Sequence, residues 1–223
     1  SRSYPVNYNK FKQLLAKSWV KFKAKDLWYY KVKKIFCEVK CVRLWVSGYR
    51  SYELGVFKSD DPKIEVLKYC LRKIFMQNAD MGLEWIISGG QLGIEQWALE
   101  EAVSFTKEYV GVKTALMYPY TEFSKNWQED KQIQLAQLEQ QVDFCASVSK
   151  QPYSSPMQLK NYQQFMLAHT DKAVLIYDQE HPGKPKFDYE AIKRYQQTHT
   201  YELEVIDMYQ LQDEAEQYLE QKY

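Results

Sequence analysis

From residue 42 to the C-terminus the hydrophobic positions switch back and forth between two periods. "VRLWVSG" (42–48) is a short β-branched and aromatic run closed by glycine, which predicts a strand. "DPKIEVLKYCLRKIFMQ" (61–77) opens with Asp-Pro, a helix-start signal, and then places Ile64, Leu67, Leu71, Ile74 and Phe75 at helical spacing. The same logic predicts strands over 83–88, 112–119, 142–149, 171–178 and 201–208. Helices are predicted over 92–109, 127–141, 155–170, 189–199 and 209–221. Ser155 is read as the N-cap of its helix, with Pro156 at the first helical position. "DKAVLIYD" is the most apolar strand, as a strand buried on both faces should be.

Strand and helix alternate six times with short connections, and parallel strands joined by crossover helices are the physical solution to that pattern. The expected fold is α/β: an open, doubly wound, mostly parallel Rossmann-like sheet forming one domain over 42–223. The repeats are too few for an eightfold barrel.

Composition adds a boundary at residue 41. Residues 1–41 hold 11 Lys/Arg against 2 Asp/Glu, whereas the remaining 182 hold 19 against 27, so a formal net charge of +1 conceals two unlike parts. Within the leader, Phe11, Leu14, Leu15, Trp19 and Phe22 fall near one helical face, with Lys12, Lys17, Lys21 and Lys23 around it. Such a segment can lie on anionic membrane or grip single-stranded nucleic acid. Two plainer readings are preferred, a neutral extension or non-native upstream translation. Valine can be encoded by GTG, an alternative bacterial start codon, and "CEVK" just before Val42 can be encoded by DNA containing a ribosome-binding-like GAGGTG. A nucleic-acid partner is therefore not expected.

No apolar run approaches the ~20 residues needed to cross a bilayer, and nothing resembles a signal peptide, so a cytoplasmic protein is expected. Cys70 and Cys145 lie in apolar patterns and are read as small core residues. Cys37 and Cys41 form C-x3-C with no partner pair and no neighbouring His, so no metal site is expected. His169, His181 and His199 are scattered near helix ends or in a loop, without metal spacing, and no G-x-S-x-G elbow appears.

The candidate chemistry sits in "SGGQLGIEQW", Ser88 to Trp97, between a predicted strand and helix. Ligands of open parallel sheets bind beyond the carboxyl ends of the strands. Gly89 and Gly90 are expected to use positive φ and admit close backbone approach. Gly93 is expected in the first helical turn, where free N–H groups favour phosphate. The motif is neither G-x-G-x-x-G nor a P-loop, because no Lys-Ser/Thr follows. Glu95 fits three roles: an acceptor for ribose hydroxyls, a general base, or an acid that merely favours a helix N-terminus.

"SGYRSYELGVF", "SGGQLGIEQWALEEA", "KNWQEDKQIQLAQL" and "QPYSSPMQLKNYQQFML" together resemble the YpsA family of Firmicute bacteria. That family lies within the SLOG superfamily of Rossmann-like proteins, beside the LOG cytokinin-activating hydrolases and DprA. The similarity runs from Val42 to about Asp207, and the leader has no counterpart. The resemblance implies a site for a nucleotide derivative such as ADP-ribose or NAD, a regulatory role linked to cell division, an unidentified protein partner and a possible homo-oligomer. Carried over by position, the ligand-binding candidates are Gly48, Tyr49, Arg50, Ser88, Gly89, Gly90, Gly93 and Glu95, with Trp97, Asn126, Trp127 and Tyr153 as additions.

Arg50 can pair bidentately with phosphate, and Tyr49, Trp97 or Trp127 can stack on a base, although Trp97 shares a helical face with Ile94, Ala98 and Phe105 and reads as core. The LOG hydrolases carry a second motif, P-G-G-x-G-T-x-x-E, that supplies a catalytic glutamate. Here "QEHPGKPKFDYEAIKR" stands in its place, and neither Gly183 nor Glu190 reproduces the pattern. A non-catalytic nucleotide-ligand sensor is therefore preferred. The alternative is an N-glycosidic or phosphoribosyl hydrolase using Glu95 and Arg50.

Overall fold

The computed structural model of the chain describes residues 41–222. The basic leader up to residue 40 lies outside the described residues, and so do the readings made of it.

The elements alternate as the periodicity predicts. They are β1 (Val42–Gly48), α1 (Pro62–Ala79), β2 (Leu83–Ser88), α2 (Ile94–Thr106), β3 (Lys113–Tyr120), α3 (Glu129–Gln141), β4 (Phe144–Ser149), α4 (Met157–His169), β5 (Lys172–Ile176), α5 (Lys186–Tyr195), β6 (Glu202–Ile206) and α6 (Met208–Lys222). A 3-10 turn, Ser51–Leu54, follows β1. Asp61 caps α1 as Asp-Pro predicts, its carboxylate accepting the Lys63 N–H at 2.9 Å with Pro62 in the first turn.

All the strand pairings are parallel, in the order β4-β3-β2-β1-β5-β6. The chain builds outward from β1 to β4, then returns past β1 to lay down β5 and β6. Helices cover both faces. Leu44 and Val46 of β1 pack with apolar residues of α1 and α2, while Trp45 faces Ala191 and Ile192 of α5 and Met166 of α4. The crossovers that follow β1 and β5 therefore leave to opposite faces, and a crevice opens between them at the carboxyl edge of the sheet. As its apolarity predicts, β5 is buried almost throughout, in the sheet between β1 and β6.

Three local expectations are corrected. Ser155 does not cap α4: Pro156 holds the N-cap position with no side-chain cap, and the Gln158 side chain accepts the N–H groups of Ser154 (2.7 Å) and Ser155 (3.2 Å) just before the helix. Cys145 is exposed on the edge strand β4, because an apolar pattern cannot tell an edge from a core strand. α5 begins at Lys186, three residues before the predicted start, because "KPKF" carries too little apolar periodicity to mark it.

Candidate functional site

The loops after β1 and β2 are zipped together. Ile94 donates its N–H to the Tyr49 carbonyl (3.1 Å) and Ser51 to that of Leu92 (3.0 Å), and Arg50 forms an isolated antiparallel bridge with Gly93. Gly93 makes this closeness possible. It is the N-cap of α2 rather than a first-turn residue, with φ 120°, and a Cβ there would lie 2.5 Å from the Ser51 nitrogen. Gly89 and Gly90 do not use positive φ. They are glycine because side chains crowd them: a Cβ on Gly89 would run into the Glu95 carboxylate, and one on Gly90 into the Tyr118 ring.

The expected phosphate cradle is therefore already filled by a carboxyl group of the protein itself. Glu95, buried in the first turn of α2, folds its carboxylate back so that Oε2 accepts the Gln91 N–H at 2.9 Å. Its other oxygen lies 3.4 Å from the Ser47 hydroxyl and 3.8 Å from Nη1 of Arg50. The Ser47 hydroxyl in turn donates to Oδ2 of Asp188 at 2.8 Å. Asp188 is held from its other oxygen by the Gln163 amide at 2.7 Å. Two carboxylates from different helices thus meet over one serine hydroxyl at the end of β1.

Burial pushes the carboxyls of Glu95 and Asp188 above the usual carboxylate range. Arg50 and the Gln91 N–H pull Glu95 back, and the Gln163 and Ser47 hydrogen bonds do the same for Asp188. Tyr162 stands beside them, 8% exposed, its phenol raised well above normal by burial and then by the two acids. Its hydroxyl has no hydrogen-bond partner, and neither does Nη1 of Arg50.

These groups line a cleft of about 400 Å³, within the range of small-molecule sites. Arg50, Glu95, Tyr162 and Asp188 are among its lining residues, and Lys160, Lys184, Phe187 and Arg194 bring basic and aromatic side chains to it. Among the described residues no three His, Cys, Asp or Glu side chains converge as a metal site.

The model of the YpsA family, described as the YspA SLOG family, matches residues 44–211. The chain belongs to the YpsA family. It is 60% identical to a UPF0398 protein of Lactobacillus gasseri over 179 residues, covering 80% of this chain and 94% of the relative. A UPF0398 protein of Ligilactobacillus salivarius is 55% identical, over 80% of this chain and 98% of its own length. One from Lactiplantibacillus plantarum is 50% identical, over 81% and 95%.

The YpsA-type candidates do not share one place. Arg50 and Glu95 line the cleft, Gly89 lies against Glu95 and Tyr162, Gly90 lies against Tyr118, and Gly93 lines the neighbouring groove. Gly48 serves packing, since a Cβ would lie 2.9 Å from the Ile176 carbonyl oxygen. Ser88 is buried, its hydroxyl bonded to the Val46 carbonyl at 2.6 Å. Tyr49 is no stacking platform: it is buried, and its hydroxyl accepts the Asp178 N–H (2.9 Å) while donating to the His181 carbonyl (2.6 Å).

Trp97, Asn126 and Trp127 line a separate groove of about 630 Å³ among α1, α2 and α3, beyond Gly93. Tyr153 packs against Tyr120, ring centroids 5.1 Å apart, and lines neither space.

Sequence reasoning missed Ser47, Tyr162, Gln163 and above all Asp188. The LOG-type spacing draws attention to Glu190, but that residue sits on the outer side of α5, paired with Lys186 and Arg194. An acid in the first turn of the helix after β5 was the available signal, and the misplaced start of α5 hid it.

Proposed function

We propose that this chain is a regulatory protein that binds a nucleotide derivative of the ADP-ribose or NAD type in the cleft between β1, β2 and β5. The observation that carries this reading is the polarity of the cleft. Two carboxyls, the buried Glu95 and the half-buried Asp188, form its floor, and Lys160, Lys184 and Arg194 are among its lining. A phosphate seated on the floor would be repelled by both acids, whereas neutral sugar hydroxyls can donate to them. Phosphates then lie toward the lysines, and Phe187, 61% exposed, offers a ring face for a base.

The regulatory element is the loop between β5 and α5. Glu53 accepts the backbone N–H of Arg50 (2.7 Å) and of Lys184 (2.7 Å), so one side chain ties together two loops that frame the cleft. A role in cell-division control, implied by the resemblance, would be read out there by a protein partner.

Calorimetric titration with ADP-ribose, NAD and nucleoside monophosphates tests the proposal. Binding weakened by Glu95→Gln supports it, and no binding by folded protein overturns it.

One observation favours a second reading. Paired carboxyls with raised pKa suit general acid–base cleavage of an N-glycosidic bond, with Glu95 and Asp188 in the two roles. Free base released from nucleotides, and lost in both Glu95→Gln and Asp188→Asn, would establish that hydrolase.

A further inference from the structure

The cleft floor presents four polar groups of complementary kind within one small space. Glu95 and Asp188 are acceptors, and the Ser47 hydroxyl lies between them, donating to Asp188 at 2.8 Å with Glu95 at 3.4 Å. Nη1 of Arg50 and the Tyr162 hydroxyl are buried without a hydrogen-bond partner. One member of each set meets beside Gly89, where a Cβ would sit 2.9 Å from the Tyr162 hydroxyl and would overlap the Glu95 carboxylate. Nη1 of Arg50 has only its 3.8 Å ion pair with Glu95, and the Tyr162 hydroxyl has no hydrogen bond; a buried donor without a hydrogen bond is costly, and a ligand that accepts from both would complete them.

The required ligand must do two things at once. It must donate to carboxylates and accept from an arginine and a phenol. A phosphate or carboxylate only accepts, and two acids reject it. An ammonium only donates, and leaves Arg50 repelled. A hydroxyl does both, and two adjacent hydroxyls match two carboxylates paired with two donors. We propose that the floor of this cleft reads a free cis-diol, so that the ligand presents a ribose whose 2′ and 3′ hydroxyls are both unsubstituted. This rests on the nucleotide-derivative reading and narrows it. The site selects ribo over 2′-deoxy sugars and excludes 2′-phosphorylated ones, which would set a dianion against Glu95 and Asp188.

The experiment is a calorimetric series on the full chain with matched pairs. These are ADP-ribose against its 2′-phosphate, AMP against 2′-deoxy-AMP, ribose 5-phosphate against 2-deoxyribose 5-phosphate, and free ribose against 2-deoxyribose. Removing the hydroxyl from whichever sugar occupies the floor is expected to weaken binding about 10- to 100-fold, since it strands a buried partner. Equal affinity across every pair that binds overturns the diol reading while leaving nucleotide binding intact. Preference for ribose over 2-deoxyribose with no nucleotide bound overturns the nucleotide reading and leaves the diol standing. No binding in any pair ends both.

Tyr162→Phe supplies a readout that a packing role would not move. Losing a buried hydroxyl that has no hydrogen bond is expected to hold or raise the thermal midpoint, while the ribo-to-deoxy ratio narrows. A ratio unchanged in both Tyr162→Phe and Arg50→Lys removes these residues from diol recognition.

Discussion

Glu95 shows why a residue's neighbours decide its chemistry. Its place in the first turn of α2 suits a helix N-terminus, yet its carboxylate turns back into a buried loop beside Asp188. Both acids have folded-state pKa values above their ordinary ones, so both bind protons more tightly when folded. Their contribution favours folding at low pH and is lost as pH rises from about 4 through the raised values. Thermal melts across that range should show Asp188→Asn gaining on the wild type as pH climbs. A difference that stays flat with pH contradicts the assignment. Gly93 carries the other residue-scale prediction. With φ 120° and backbone atoms of the β1 loop against it, Gly93→Ala should cost at least about 1–3 kcal/mol, read as a lowered urea midpoint.

At the scale of elements, the cleft depends on three loops from the carboxyl ends of β1, β2 and β5. Tyr49 and Glu53 tie the first of these to the last. Tyr49→Phe leaves the buried Asp178 N–H without its acceptor and should cost about 1–3 kcal/mol. Glu53→Ala should speed hydrogen exchange at the Lys184 amide and weaken ligand binding, with little change in the melt of the sheet. Unchanged exchange at Lys184 would mean that the loop is held some other way. Most element boundaries were legible because apolar periodicity reports burial directly. The start of α5 was not, since Lys184 to Asp188 is a mostly polar stretch whose helicity follows from docking on the sheet, and Asp188 was lost with it.

Across the whole molecule, charge and sheet order set what the cleft can admit. Residues 42–223 are net acidic, with 19 Lys/Arg against 27 Asp/Glu, so the domain as a whole does not attract an anion. Attraction must come from Lys160, Lys184 and Arg194 at short range. Affinity for ADP-ribose should therefore fall as salt rises from 0.1 to 1 M, where the Debye length shrinks from about 10 to 3 Å. A rise in affinity would mean that long-range repulsion by the acidic domain dominates instead. Among the described residues no helix is long and apolar enough to cross a membrane.

The sequence by itself determined the alternation of strands and helices and the parallel class of the sheet. Each is encoded in local spacing, and burial enforces that spacing everywhere along the chain. Only the tertiary structure decided which residues meet. Ser47, Glu95 and Asp188 are up to 141 positions apart, and they come together because β5 returns to lie beside β1. The same return leaves Trp97, Asn126 and Trp127 in a different groove from Arg50. Strand order is a property of how crossovers close on the sheet, and no window of residues along the chain contains it.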